Sequence, residues 1–286
     1  MKIESKILIY SMINNLVIAV TKILGGIFLN LGSLLADGMH TFSDFFTDIV
    51  CLLGAKVSKK KPTKSHPFGF GKVEYLTNLF VGIILLALGI FIIIHGFTQE
   101  TVVPPLSILW LLLVAFILKI IAIYIMHKTG EKINSQLLIT AVKESKADLY
   151  SSFAVSIVAV LLQFSNEVPV LKYADLVCSI LIGSIVLKTA YDIVVANSLS
   201  LIGEVEEDKE KIDKVKEFIL KEETVKNMKI DLIKYGAYYK LQLSIELDPK
   251  LSLLQVTKIE NKIKRDIIRH RSLKIKYVTI FVTNKI

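Results

Sequence analysis

The sequence predicts a membrane protein with an all-α bundle of six transmembrane helices, followed by a small C-terminal α/β domain. Three observations predict this fold class. Of the 286 residues, 53% are hydrophobic, the mean hydropathy is +0.57, and the 21% that are charged are concentrated in a few segments. Ordinary soluble domains are less apolar. A nucleic-acid-binding domain would instead spread its basic residues over one folded face.

Six stretches are long and apolar enough to cross a membrane, since a spanning helix needs about 20 mainly apolar residues. They cover approximately residues 7–30, 32–56, 74–97, 106–127, 139–164 and 173–197. From residue 203 onward the chain is too charged to lie in lipid. We therefore expect a six-helix membrane domain over residues 1–202 and a cytoplasmic domain over residues 203–286.

The lysines of the connecting segments predict the orientation, because short cytoplasmic loops collect Lys and Arg. The segment between helices 2 and 3 carries Lys56, Lys59, Lys60, Lys61, Lys64 and Lys72. The segment between helices 4 and 5 carries Lys128 and Lys132. Both termini of a cell-membrane protein would then face the cytoplasm. An alternative with five spans, which loses helix 5 because of its charges, would place the lysine-rich tail outside.

The C-terminal segment is predicted to form an αββαβ domain of ferredoxin-like order, a kind of domain that often dimerises. Its elements are expected at residues 208–221, 225–234, 238–247, 252–269 and 274–283. From Lys240 to Leu247 polar and apolar residues alternate, which is typical of a half-buried strand. Tyr235-Gly236-Ala237 predicts the preceding turn, and Ser252 is typical of a helix N-terminus.

Ionisable side chains within two of the predicted spans indicate a site. Helix 2 carries Asp37, His40, Asp44 and Asp48, and helix 5 carries Glu144 and Asp148. Charges in a membrane span are costly and usually face the bundle interior. Residues four apart share a helical face, so His40 with Asp44, and Glu144 with Asp148, form two pairs. One imidazole and three carboxylates could converge on a divalent cation from two helices.

The depths of the two pairs agree with a common site. Asp44 falls at the middle of its span, and Asp148 lies within about 5 Å of the middle of its own at 1.5 Å per residue. An alternative is that these side chains make interhelical hydrogen bonds or line a water-filled cavity. Asp37 and Asp48 are expected to face the two vestibules, and Lys119 to snorkel or to neutralise a neighbouring acid. Asn14 or Asn15 would add an oxygen ligand or pack helices.

Several segments together resemble the cation diffusion facilitator transporters. These are LGSLLADGMHTFSD in helix 2, the loop HPFGFGKVEYL, ESKADLYSS in helix 5, YADLVCSILIGSIVL in helix 6, and the αββαβ tail. The resemblance implies a homodimer that exchanges cytoplasmic divalent metal for protons. It also implies that His40, Asp44, Glu144 and Asp148 form the tetrahedral transport site within the membrane.

The sequence departs from the family pattern at three places. In the loop between helices 2 and 3, Phe70 stands where a second histidine is often found, so a second metal site in that loop is not expected. Glu144 stands where the family usually has His or Asp, and the tail has a single histidine, His270, so we expect no structural metal there. The family also suggests a charged link between Lys72 and Glu204, for which a simple surface pair is the alternative. Cys51 and Cys178 lie in apolar runs, which argues against a disulfide framework or a cysteine-based zinc site.

The transported ion is expected to be Zn²⁺ by family resemblance, with Mn²⁺ or Fe²⁺ as alternatives that suit an oxygen-rich ligand set. The metal is then the substrate, and no cofactor is expected. A membrane enzyme is disfavoured because no nucleophile with its base, and no phosphate-binding glycine loop, accompanies the acids. The remaining alternative is a membrane-anchored scaffold or receptor that acts through its cytoplasmic domain.

Overall fold

The computed structural model describes residues 3–100, 102–133, 136–206, 209–220, 224–236 and 238–283. The chain divides into two compact units. The first unit comprises Met1–Val50 and Phe80–Ile193, and the second comprises Cys51–Leu79 and Val194–Ile286. The second unit thus includes residues that precede the tail. The expected division into a membrane domain and a cytoplasmic domain at residue 203 stays a prediction.

Long helices make up the part of the chain that precedes the tail. Their bounds are α1 Ile3–Phe28, α2 Gly32–Ser58, α3 Val73–Thr98, α4 Ser107–Lys132, α5 Gln136–Gln163 and α6 Tyr173–Ile202, with a short 3-10 helix at Pro169–Lys172. Within the described ranges, α1, α3, α4, α5 and α6 are long and apolar enough to cross a membrane.

The helix that falls short of this apolarity is α2, which has 27 residues. Its length suffices for a span, but Asp37, His40, Asp44 and Asp48 lower its hydropathy. Six spans are therefore not confirmed. The five-span alternative was wrong about the helix concerned, because Ala141–Gln163 of α5 is among the five candidates.

Glycines allow α1 and α2 to pack closely in the first unit. A Cβ atom at Gly26 would come within 2.5 Å of the backbone nitrogen of Leu35, and one at Gly38 within 2.7 Å of the backbone nitrogen of Ile23. Small residues let helix backbones approach in this way in membrane bundles. This close contact holds the polar helix α2 against its apolar neighbour.

The N-terminus of α2 is capped by a residue from α6. The Asp175 carboxylate accepts hydrogen bonds from the backbone N–H groups of Gly32, at 2.9 Å, and Ser33, at 2.8 Å. Asp175 is 4% exposed, and the first N–H groups of a helix have no partner within the helix. A carboxylate at this end is also favoured by the helix dipole. Asp175 therefore fixes the start of α2 against α6.

The tail contains α7 Lys209–Leu220, β1 Asn227–Tyr235, β2 Tyr238–Glu246, α8 Leu253–Arg269, a 3-10 helix Arg271–Leu273 and β3 Ile275–Thr283. The predicted αββαβ order is confirmed in these elements. The three described strands form a sheet in the order β1-β2-β3, with β1 and β2 antiparallel and β2 and β3 parallel. The name ferredoxin-like for this sheet stays a prediction.

Burial along β2 explains the alternation seen in the sequence. Leu241, Leu243 and Ile245 are fully buried in a core that also contains Val215 of α7 and Ile267 of α8. The polar residues between them lie on the other face. The helix N-terminus predicted at Ser252 is also confirmed, because its side chain and that of Gln255 form a capping box. Ala237, in the predicted turn, lies outside the described residues.

The charged link expected between Lys72 and Glu204 does not form. The Lys72 ammonium donates to the backbone oxygen of Leu201 at 2.8 Å. Glu204 pairs with Lys234 at 3.2 Å, and this hydrogen bond raises the pKa of the Lys234 ammonium. The prediction failed because a backbone carbonyl at the end of α6 and a second lysine compete for the same groups.

Replacing Asp175 by alanine tests the cap of α2. We expect D175A to lower the stability of the purified protein by about 1–3 kcal/mol, because buried N–H groups lose their acceptor. Thermal unfolding followed by circular dichroism measures the effect. The control is D192A, which removes an exposed carboxylate from the same helix and should change little. Equal unfolding temperatures for the two variants would contradict the assigned role of Asp175.

Candidate metal site

Two of the predicted ligands lie one turn apart on α2. The His40 Nδ1 atom is 3.9 Å from Asp44 Oδ1, and the side chains are 18% and 44% exposed. His40 Nδ1 is buried and has no hydrogen-bond partner in the described part of the chain. A buried imidazole nitrogen without a partner is costly in apolar surroundings. It is also available to bind a cation.

Asp148 on α5 completes a cluster with these residues. Within the described ranges, one ligand atom each from His40, Asp44 and Asp148 lies within 4.8 Å of the other two. Two ligand atoms that are each about 2.1 Å from the same ion are at most about 4.2 Å apart. Small side-chain movements would therefore suffice for the three groups to hold a divalent cation.

Glu144 is not part of this cluster. It lies one turn before Asp148 on α5, and it is exposed. Asp48, one turn after Asp44 on α2, is exposed as well. The role of Glu144 as a metal ligand therefore stays a prediction.

Lys119 of α4 contacts the cluster directly. Its ammonium donates to Asp148 Oδ2 at 2.8 Å and to Asn15 Oδ1 on α1 at 2.8 Å. The side chains of Lys119 and Asp148 are 5% and 12% exposed. Lys119 thus neutralises a neighbouring acid, which was one of the two roles expected from the sequence. Asn15 binds this ammonium, and Asn14 donates to the backbone oxygen of Leu118 at 3.4 Å, so both amides connect α1 to α4.

A second buried ion pair lies one turn from His40. The Lys22 ammonium of α1 is 2.7 Å from Asp37 Oδ2, with side-chain exposures of 3% and 0%. Ser151 donates to Asp37 Oδ1 at 2.7 Å, and Lys22 donates to Ser152 Oγ at 2.7 Å. Asp37 was expected to face a vestibule. It is instead buried, because its charge is balanced by Lys22 from the neighbouring helix.

Sequence reasoning missed Lys22, Ser151 and Ser152, which contact one another or Asp37, and Asp175, which caps α2. Lys22 lies inside the first predicted span, about one turn past its middle, and nothing in the neighbouring sequence indicates its partner on another helix. Serines in membrane helices are common, so Ser152 carries no signal of its own. Asp175 lies at the start of the sixth predicted span, where a charged residue is ordinary and indicates no special role. One signal could have found the lysine. The predicted spans contain both lysines and acidic residues, and charges buried in lipid must be paired.

Comparison with known proteins shows the family. Residues 8–202 match the model of the cation efflux transmembrane domain. The chain belongs to the cation efflux family, the cation diffusion facilitators. The match covers more than two thirds of the chain and includes all the residues of the cluster. It shows a transporter rather than an enzyme, and it favours that role over a scaffold or receptor.

Similar proteins extend beyond the membrane domain. The manganese efflux system protein MneP of Bacillus subtilis (strain 168) is 28% identical over 277 residues, which are 95% of this chain and 93% of MneP. The manganese efflux system protein MneS of the same organism is 26% identical over 255 residues, 87% of this chain and 86% of MneS. An uncharacterized transporter of Methanocaldococcus jannaschii is 26% identical over 290 residues, 99% of this chain and 100% of that protein.

These findings establish the general activity. The cation efflux protein is a multi-pass membrane protein that exports metal cations, and the metal is its substrate rather than a cofactor. The cluster of His40, Asp44 and Asp148 lies within the part of the chain that matches the transport domain.

The ion pair of Lys22 and Asp37 gives a testable consequence for stability. We expect K22M or D37A to destabilise the protein by about 3–5 kcal/mol, because either change leaves an uncompensated buried charge. The double change K22M/D37L removes both charges and should cost less than either single change. Thermal unfolding of the purified variants measures this order.

The control for this series is K216A, which breaks an exposed pair with Asp213 in the tail. Exposed pairs contribute about 0–1 kcal/mol, so K216A should unfold close to the unmodified protein. If the double change were as unstable as the sum of its single changes, Lys22 and Asp37 would not be stabilising each other.

Proposed function

We propose that this member of the cation efflux family exports Mn²⁺ in exchange for protons, using His40, Asp44 and Asp148 as the membrane site. The observation that supports this most is the cluster of their ligand atoms, all within 4.8 Å of one another. An anchor or packing helix has no need for such a group, because ionisable side chains are costly in a membrane.

Mn²⁺ takes precedence over Zn²⁺ in this proposal for two reasons. First, the relatives that match most of the chain include two named as manganese efflux system proteins. Second, the cluster supplies two carboxylates and one imidazole, and Mn²⁺ suits oxygen-rich ligand sets better than Zn²⁺, which favours imidazole and thiolate. The preference for Zn²⁺ expected from the family resemblance is not confirmed.

Glu144 is the proposed additional ligand from α5. It is four residues from Asp148, so it lies on the same face of the helix. We propose that its carboxylate turns toward the cluster when the ion binds. Glu144 would then complete the four ligands expected from the family pattern, and its exposed position suits a group that meets the ion during entry or exit.

Proton coupling follows from the chemistry of the ligands. Carboxylates and imidazole bind a metal through the same lone pairs that bind protons, so loading the metal releases protons. Protonation from the opposite side of the membrane would then expel the metal. Alternating access requires the helices carrying the site to rock between two orientations. We propose cytoplasmic termini, on the basis of the lysine-rich connections, and location in the cell membrane.

The tail is proposed to form a homodimer. Exposed apolar side chains on the tail include Leu253, Leu254, Phe281 and Val282. Large exposed apolar groups are common at protein interfaces. Light scattering of the purified full-length chain in detergent measures the mass of the particle. A mass of two chains supports the dimer, and a mass of one chain contradicts it.

Transport assays in vesicles test the proposed function. Vesicles that contain the protein should take up Mn²⁺ when a pH gradient is imposed, and uptake should stop when the gradient is collapsed. We expect D44A or D148A to abolish this uptake, because each removes a ligand of the proposed site. The fluorescence of a Mn²⁺-sensitive dye inside the vesicles measures the rate.

The matched control is D192A, which removes an exposed carboxylate outside the cluster and should transport normally. Size-exclusion chromatography checks that each variant keeps the particle size of the unmodified protein. Uptake that is unaffected by both D44A and D148A would refute the assigned site. Uptake of Zn²⁺ with a much higher kcat/KM than Mn²⁺ would refute the assigned substrate.

A further inference from the structure

Lys119 occupies an unusual position for a residue of a cation transporter. Its positively charged ammonium is 2.8 Å from Asp148, one of the three clustered ligands, and it is buried. A fixed positive charge repels the cation that the site is proposed to bind. Asp148 Oδ2 accepts this short charge-assisted hydrogen bond, so the ammonium already offsets part of the negative charge that Asp148 would offer to a divalent ion.

Counting charges shows how strong the conflict is. The carboxylates of Asp44 and Asp148 carry two negative charges, and the Lys119 ammonium cancels one of them when His40 is neutral. A divalent cation held beside Asp44, Asp148 and Lys119 would leave one net positive charge until the proposed ligand Glu144 joins the site. Burial of uncompensated charge is strongly unfavourable. Contact between Lys119 and Asp148 is therefore opposed to binding of the metal.

We propose that Lys119 is an internal cation that competes with the transported metal for Asp148, so that the metal enters by displacing the ammonium. This inference rests on the proposed function, since it concerns the same site. The displaced ammonium stays charged and keeps one partner, because its second hydrogen bond is to Asn15 on α1 rather than to a residue of the cluster. Asn15 thereby acts as a positioning residue for Lys119.

The contacts of Asn15 support this role over one as a metal ligand. Its Oδ1 atom, the only side-chain atom with which asparagine coordinates hard cations, already accepts the hydrogen bond from Lys119. Its neighbour Asn14 bonds the backbone oxygen of Leu118, the residue that precedes Lys119. The two asparagines thus hold the Lys119 segment of α4 against α1, and displacement moves the ammonium without removing it from this anchor.

Binding of Mn²⁺ to the purified full-length protein, measured by isothermal titration calorimetry, tests the proposal. Methionine at position 119 has a similar length and no charge, so K119M should lower the Kd for Mn²⁺ by about tenfold or more. The control K188M removes an exposed lysine of α6 and should leave Kd unchanged. Unchanged or weaker binding by K119M, or equal tightening by K188M, would overturn the proposal.

The variant N15A provides a second test, in which Lys119 itself is unchanged. Removing the acceptor that keeps the displaced ammonium should weaken Mn²⁺ binding severalfold, and unchanged binding would overturn the role of Asn15. In the double variant N15A/K119M the effect of N15A should vanish, since there is no ammonium to position. A loss that persists in the double variant would instead make Asn15 a ligand and overturn its role as a positioning residue.

The variant D44A separates failure of this inference from failure of the proposed function. If D44A leaves Mn²⁺ binding intact in both the unmodified and the K119M backgrounds, the proposed site itself is wrong. If D44A abolishes binding while K119M fails to tighten it, the site stands and only the competition by Lys119 is refuted.

Discussion

Pairing of charge within an apolar bundle is the constraint on which this structure depends. Lipid offers no water to solvate an ion, so an ionisable side chain that is buried within a span needs a partner or a cargo. The first unit meets this need with two buried pairs, Lys22 with Asp37 and Lys119 with Asp148. Both pairs are anchored on the same stretch of α5, since Asp37 and Lys22 also bond Ser151 and Ser152. The polar groups thereby hold the helices together where apolar contacts cannot.

This arrangement makes α5 the common partner of helices α1, α2 and α4. Ser152 joins the two networks, because its hydroxyl accepts from Lys22 and donates to the backbone oxygen of Asp148 at 2.9 Å. Movement of α5 relative to α2 would therefore change the cluster and the buried pair of Asp37 together. Coupling of this kind requires no long pathway, since the groups concerned lie within two turns of a single helix.

The sequence predicted well whatever depends on local periodicity. All five elements of the tail are reproduced within two residues, because the alternation from Lys240 to Leu247 and similar patterns are direct consequences of burial. The six long helices lie where the apolar runs predict them, although α4 and α6 each continue five residues beyond their predicted ends. The four-residue spacing of His40 and Asp44 likewise placed them on one face. Contacts between residues that are distant in the sequence could not be predicted in this way. No local pattern says that Asp175 caps α2 or that Lys22 meets Asp37, and the pairing of Lys72 with Glu204 failed because nearby groups offered each side chain a better partner.

Competition by Lys119 also bears on how the site releases its ion. A transport site must bind its ion strongly enough to load it and weakly enough to release it. Two neighbouring carboxylates, of which Asp148 is nearly buried, attract a divalent cation strongly. An ammonium held 2.8 Å from one of them offsets part of that attraction and is ready to replace the ion as it leaves. The negative charge on Asp148 then has a partner as the ion departs.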